Sequence, residues 1–342
     1  MKKYHYLEYI IPKTQDNKEI LLILQQNMGL SARKIRELKR HPEGILLNDK
    51  PVIVRETGRS GQTLKVILND TEEDSEKILP APMELSILYE DEDLIFINKP
   101  PGVVCHPSKG HLTDSISNGV AAYFLEKKEP SRIHLIGRLD KDTSGILGIA
   151  KNKVTAERMI TLRKEGKIQK EYLALVHRCP EKEEGIIEIS MREYRNRESG
   201  DSRLKMKRAE AVSGKTEKEK SENGKIARSH YRILRKFSEH TLCQLMIETG
   251  RTHQIRFHMA EIGCPLVGDT LYGYDEEKKG EENTRLYNKT SGERAALHAY
   301  KLRFHHPFTN DEVILTAPIP EDMQKQMGFF EHFSPRFNIL EI

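Results

Sequence analysis

The sequence predicts an α+β chain in two parts: a small N-terminal α/β module, and a larger domain built on an extended mixed and antiparallel sheet flanked by helices. Three observations carry this. Short aliphatic and β-branched runs bounded by turn residues recur along the chain. Stretches with apolar residues at helical spacing interrupt them. The 342 residues are also enough for about two domains.

Composition narrows the classes. Charged residues make up 32% of the chain and hydrophobic ones 37%, more charged than the roughly 25% of an average domain, which suits a well-solvated surface. Lys and Arg number 56 against 52 Asp and Glu, a net of +4, so any polyanionic partner must be read from where the charges cluster. No apolar run approaches the roughly 18 residues of a membrane span, and Met1-Lys2-Lys3-Tyr4 has no signal core. A cytoplasmic protein without a membrane partner is expected. Cys105, Cys179, Cys243 and Cys264 form no C-x-x-C pair and read as free thiols.

Residues 1–70 form the small module. The run Ile20 to Leu24 ends before Gly29, and Ser31 is placed to cap a second helix over Ala32 to Arg40. That helix carries Arg33, Lys34, Arg36, Lys39 and Arg40 around Ile35 and Leu38, giving one buried face and a cationic remainder suited to a phosphate backbone. Gly44 to Val54 reads as two strands around an Asn48-Asp49 turn, and Leu64 to Leu68 as another. An acidic, proline-bearing stretch over 71–83 is expected to be a linker.

The larger domain spans 84–325. Strands are expected at Ile87 to Tyr89, Leu94 to Asn98, His134 to Ile136, Gly145 to Ala150, Glu171 to His177, Tyr231 to Phe237 and Thr241 to Ile247. Helices are expected over Ala156 to Gly166 and from a Thr252 cap through Ile255, Met259 and Ile262 to a Gly263 stop. Residues 193–225, rich in charge, Gly and Ser, read as a mobile insertion. Asp140 falls on the loop between two strands, where its oxygens could serve as a nucleophile, a base or a turn-former. Arg251 sits at a helix N-terminus, adding positive charge to a positive dipole end, and so requires an anion.

Metal and nucleotide chemistry find little support. His253 and His258 are five residues apart, off the spacing that puts two imidazoles on one helix face, and there is neither an H-E-x-x-H motif nor a glycine-rich phosphate loop. No metal and no bound nucleotide cofactor are expected. A D-x-D-x-T phosphotransfer reading of Asp140 and Asp142 fails on spacing, since Thr143 comes one residue early.

Gly137-Arg138-Leu139-Asp140-Lys141-Asp142-Thr143-Ser144-Gly145 resembles the H-R-L-D-x-x-T-S-G motif of the RluA-type family of RNA pseudouridine synthases. The resemblance runs from about Glu84 to Ile319 through Asn98-Lys99-Pro100-Pro101-Gly102, Lys170-Glu171-Tyr172, Gly250 to Arg256, Val267 to Gly273 and Leu297-His298-Ala299. Gly137 replaces the family's His. The N-terminal segment resembles the small RNA-binding module of ribosomal protein S-four. The resemblance implies an isomerase that breaks the uracil N1 link to the sugar, turns the base and rejoins it through the base's fifth carbon without a cofactor. It assigns Asp140 as the carboxylate, Arg251 as its ion-pair partner and Tyr172 as the ring against uracil. Arg138 is a candidate wedge for a vacated base stack. Lys99, Arg256 and the basic residues of the second helix are expected to bind RNA, and the basic arm near Arg203, Lys205, Lys207 and Arg208 of the insertion to contact phosphates. Large-subunit ribosomal RNA is the expected substrate, transfer RNA the alternative, with a monomer as the working form. The rival class is a non-catalytic RNA-binding factor.

Overall fold

The computed structural model describes residues 4–68, 78–129, 131–194, 204–209, 224–237, 240–273 and 294–331. The N-terminal module contains β1 (Tyr6–Ile10), β2 (Lys18–Glu19), α1 (Ala32–Leu38), β3 (Ile45–Leu47), β4 (Lys50–Pro51), β5 (Thr57–Gly58) and β6 (Thr63–Ile67). Four strands form a sheet in the order β1-β6-β3-β4, and β2 pairs with β5. The expected apolar helix is a short turn over Ile20–Leu22 that widens into a π-helical segment at Ile23–Asn27, burying Ile20, Ile23 and Leu24 in the module's core. Ser31 caps α1 by accepting from the Lys34 amide at 3.3 Å. Asn48 and Asp49 both take the left-handed conformation, at φ 50° and 63°, as a two-residue hairpin turn demands.

The larger domain adds β7 (Ile87–Glu90), β8 (Leu94–Lys99), α2 (Ile116–Glu126), β9 (His134–Leu135), β10 (Ser144–Ala150), α3 (Lys153–Lys164), β11 (Gln169–His177), β12 (Glu184–Tyr194), β13 (Lys205–Arg208), β14 (Lys225–Lys236), β15 (His240–Ile247), α4 (Gln254–Glu261), β16 (Leu297–His305), β17 (Glu312–Thr316) and α5 (Glu321–Glu331). One mixed sheet runs β13-β12-β14-β15-β11-β16-β10-β8-β7, with β17 on β16 and β9 on β10. All pairings are antiparallel except β10 with β16. That parallel pair brings Gly145 so close to β16 that a Cβ would lie 2.3 Å from the Ala299 carbonyl oxygen, and Gly145 adopts φ 104°. Only glycine meets both conditions.

Four expectations change. Residues 193–225 are not loop alone: Lys205–Arg208 pairs with Met191 to Tyr194, because Met206 alternates inward into the core between charged neighbours. Strand β12 and helix α2 were not expected. Helix α2 starts on a Ser115 and Asn118 capping box rather than the Glu or Gln form, and its Gly119 lies against Met83. The residue before α4 is His253 at φ 52°, not Thr252, and its side chain makes no cap bond. The expected linker lies partly outside the described residues. Across it the two parts touch: Arg158 of α3 donates to the Met28 carbonyl at 2.6 Å, and Val154 packs into the N-terminal core.

Candidate active site

The loop between β9 and β10 carries Asp140, whose side chain is 27% exposed. Its neighbours are held one by one. The Leu139 amide donates to the Cys105 thiol at 3.3 Å, and the thiol donates back to the Leu139 carbonyl at 3.2 Å. The Asp140 carbonyl accepts from the Thr143 amide at 3.1 Å, closing a turn. The Lys141 carbonyl accepts from Lys99 Nζ at 2.9 Å, and the Asp142 carbonyl from Arg294 Nη1 at 2.9 Å. With the four successive carbonyls of Leu139 to Asp142 taken by fixed donors, the loop holds its carboxylate in one place.

The guanidinium beside Asp140 is that of Arg256, with Nη1 3.8 Å from Oδ2. Arg256 lies in the first turn of α4 and is buried. Its Nε and Nη2 donate to the two oxygens of fully buried Asp269 at 2.7 and 2.8 Å, a bidentate pair of the strong class. The amides of Leu271 and Tyr272 also donate to Asp269. Burial pushes the Asp269 carboxyl up, but the bonds from Arg256 and these amides outweigh it and hold it below the usual carboxylate range. Burial likewise works against the Arg256 charge, and Asp269, with Asp140 behind it, more than restores it.

This overturns the expected partner. Arg251 is exposed on the turn ahead of α4, and its amide is taken by Gln254 Oε1 at 3.0 Å. Arg256, one further turn along, points inward beside Asp140. Its Nε and Nη2, spent on Asp269, are not available to an RNA phosphate. The Lys99 ammonium is not available either. Lys99 is fully buried, and its ammonium donates to the carbonyls of Pro100, Val103 and Lys141; burial pulls it down to about 8. Lys34 is 1% exposed and bound to Glu37 at 2.8 Å, so it belongs to the module's interior. Arg33, Arg36, Lys39 and Arg40 stand on the exposed side.

Tyr172 is buried on β11, immediately after a bulge that shifts the pairing with β16 between Glu171 and Tyr172. Bulges re-aim a side chain, and this one directs the ring toward the site. Burial first, then the nearby Asp140 charge, drives the Tyr172 hydroxyl strongly toward its protonated form. The Lys170 ammonium lies 5.7 Å from the Tyr172 ring centroid and burial lowers it to about 8. Arg138 is exposed on the Asp140 loop. At Gly137 a Cβ would meet Arg163 Nη1 at an ordinary 3.7 Å, so the backbone leaves room for a larger residue there.

Three groups of the site went unassigned in the sequence: Asp269, Tyr272 and Arg294. Tyr272 lies under Arg256, whose guanidinium is 5.5 Å from its ring centroid, and its hydroxyl accepts from the Met206 amide of β13 at 2.7 Å and bonds His253 Nδ1 at 3.0 Å. Arg294 reaches the same loop from β16's approach. All three occupy strings whose spacing gave no role, because their partners are distant in sequence. No group of three or more potential metal ligands occurs among the described residues.

Residues 93–261 match the sequence profile of the family described as RNA pseudouridylate synthase. The chain is 33% identical over 298 residues to the uncharacterized RNA pseudouridine synthase YjbO of Bacillus subtilis, covering 87% of this chain and 94% of that protein. It is 35% identical over 262 residues to ribosomal large subunit pseudouridine synthase D of Escherichia coli K12, covering 76% and 74%. The fold is that of human RNA pseudouridylate synthase domain containing 4, with a TM-score of 0.56 at 22% identity, over 72% of this chain and 93% of that one. An Asp-bearing loop on a mixed sheet and these relatives lead to one statement: the chain belongs to the RNA pseudouridine synthase family and is an isomerase acting on RNA.

Proposed function

We propose that this enzyme converts uridine to pseudouridine in large-subunit ribosomal RNA, with Asp140 as its carboxylate and Tyr172 as the ring beneath the target base. The observation that carries the reading is the fixed triad Asp140, Arg256 and Asp269, with Oδ2 to Nη1 at 3.8 Å and Arg256 bidentate on Asp269.

In the reaction the bond from uracil N1 to the ribose breaks, N1 gains a proton, the base turns, and its fifth carbon bonds to the sugar while losing its proton. Atoms and charge balance without a cofactor. An ionised carboxylate serves by attacking the sugar, by adding to the ring or by removing a sugar proton. Each requires it stationary, which a guanidinium at one side and a backbone tethered on both supply. A base in a stem must first leave the stack, at a cost of a few kcal/mol. Arg138, exposed two residues before Asp140, has a planar side chain suited to fill the gap. The exposed Arg33, Arg36, Lys39 and Arg40 supply backbone contacts for a structured RNA.

Ribosomal RNA is favoured over transfer RNA by the relatives named ribosomal large subunit pseudouridine synthase D. We propose that the enzyme works as a monomer in the cytoplasm. The test is tritium release from large-subunit RNA labelled at the uracil fifth carbon, with transfer RNA in parallel. Release by wild type and none by Asp140→Asn is expected. Equal release from both proteins would remove Asp140 from the chemistry, and release from transfer RNA alone would change the substrate.

A further inference from the structure

Arg294 precedes β16 and is buried, yet all of its nitrogens are engaged. Nε and Nη2 donate to Asp322 at 2.6 and 3.1 Å. Nη1 donates to the carbonyls of Asp142, Ala295 and Leu297 at 2.9, 3.1 and 3.1 Å, and Nη2 also reaches Ser144 Oγ at 3.3 Å. Asp322 belongs to the first turn of α5, with a side chain 42% exposed. One guanidinium thus joins the C-terminal helix to the backbone two residues beyond Asp140.

The adjoining network is consistent in its protons. His298 Nε2 lies 3.3 Å from the Ala317 carbonyl, which can only accept, so Nε2 carries the hydrogen and Nδ1 accepts from Ser144 Oγ at 3.0 Å. Ser144 then donates to His298 and accepts from Arg294. Ser144 is the first residue of β10, whose Gly145 is pressed against Ala299. The loop carrying Asp140 is therefore held from one side by Lys99 and Cys105, and from the other by Arg294, which is itself oriented by Asp322.

We infer that Arg294 is a positioning residue for Asp140, and that α5 acts in catalysis through Asp322, by fixing the angle of the Arg294 fork. The inference rests on Asp140 being the reacting carboxylate. A planar guanidinium bound along one edge by a carboxylate has its remaining N–H groups pre-aimed. Without that edge it can still touch the Asp142 carbonyl but no longer fixes the loop's orientation. Misplacement of a reacting group by about 1 Å is enough to cost about 100-fold in rate.

The experiment uses the full chain and the tritium-release assay with large-subunit RNA, comparing Asp322→Asn, Arg294→Lys, the double variant and Asp140→Asn. Turnover number, RNA dissociation constant and thermal midpoint are measured for each. Asp322→Asn keeps the side chain's shape at a half-exposed site and is expected to fold. Its turnover should fall about 10- to 100-fold with RNA affinity unchanged. The double variant should be no slower than Arg294→Lys alone, because Asp322 acts only through Arg294. Wild-type turnover in Asp322→Asn, or equal losses in turnover and affinity, or additive losses in the double variant, would each overturn the inference. If Asp140→Asn is inactive while Asp322→Asn is not impaired, the positioning role alone fails. If Asp140→Asn stays active, the assignment of Asp140 fails and takes this role with it.

Discussion

Arg256 bridges two carboxylates of unlike duty, donating twice to buried Asp269 at 2.7 and 2.8 Å while its remaining nitrogen stands 3.8 Å from Asp140. The bidentate side fixes the plane of the guanidinium, and the free edge faces Asp140. Arg256→Lys keeps the charge and loses the fork. It is expected to lower turnover about 100-fold with RNA affinity within about twofold. Steady-state tritium release and filter binding separate the two, and a variant that loses affinity instead would return Arg256 to the RNA surface.

Arg251 carries the opposite expectation. It is exposed, so Arg251→Ala should leave turnover near wild type and weaken RNA binding by a few fold at most, an effect that fades as salt rises. A large turnover defect with unchanged affinity would mean that Arg251 swings into the site when RNA binds.

On α1 the cations divide by burial. Lys34→Ala leaves Glu37 in a half-buried site without its 2.8 Å partner and should lower the thermal midpoint by several degrees without changing RNA affinity. Charge reversal at Arg36 or Lys39, both exposed, should do the reverse.

Stability should fall in mild acid. His177, His240, His258 and His298 are each pulled by burial from the ordinary 6.5 to about 4. Between those values the unfolded chain takes up protons that the folded chain refuses. Stability is therefore complete above about pH 6.5 and is lost as the pH falls toward 4. The thermal midpoint should drop by several degrees between pH 7 and pH 5, and His258→Asn should shallow that slope. A flat profile would mean that these imidazoles titrate normally.

Tyr272 connects the insertion to the site. In Tyr272→Phe the Met206 amide loses its 2.7 Å acceptor and His253 its 3.0 Å partner. Hydrogen exchange at Met206 should accelerate at least about tenfold, with turnover reduced several-fold. An unchanged exchange rate would show that the pairing of β13 with β12 suffices to hold the strand.

Local rules were sufficient where partners are near in sequence. Ser31 and Lys34, Asn48 and Asp49, and Gly263 after α4 all announce themselves within four residues, and the loop position of Asp140 follows from the strands on either side. The site's remaining members answer to distant partners. Nothing around Arg256 advertises Asp269, thirteen residues on, so the helix-dipole argument selected Arg251, the arginine nearest the helix start. The same holds for Arg294, whose partners Asp142 and Asp322 lie on opposite sides of it in the chain. Strand β12 was legible in principle, since Ile187, Ile189 and Met191 alternate inward, but the flanking charge of the insertion obscured the period. For Lys34 and Lys99 the rule that lysines face water failed because fixed acceptors, Glu37 for one and three carbonyls for the other, await them inside.

The tethers on either side of Asp140 come from Lys99 and Cys105 at one end of the domain and from Arg294, with Asp322 behind it, at the other. During synthesis, the carboxylate emerges from the ribosome more than half the domain before its last tether does. Until α5 has been made, the loop has Lys99 and Cys105 on one side and, on the other, an Arg294 without the carboxylate that orients it.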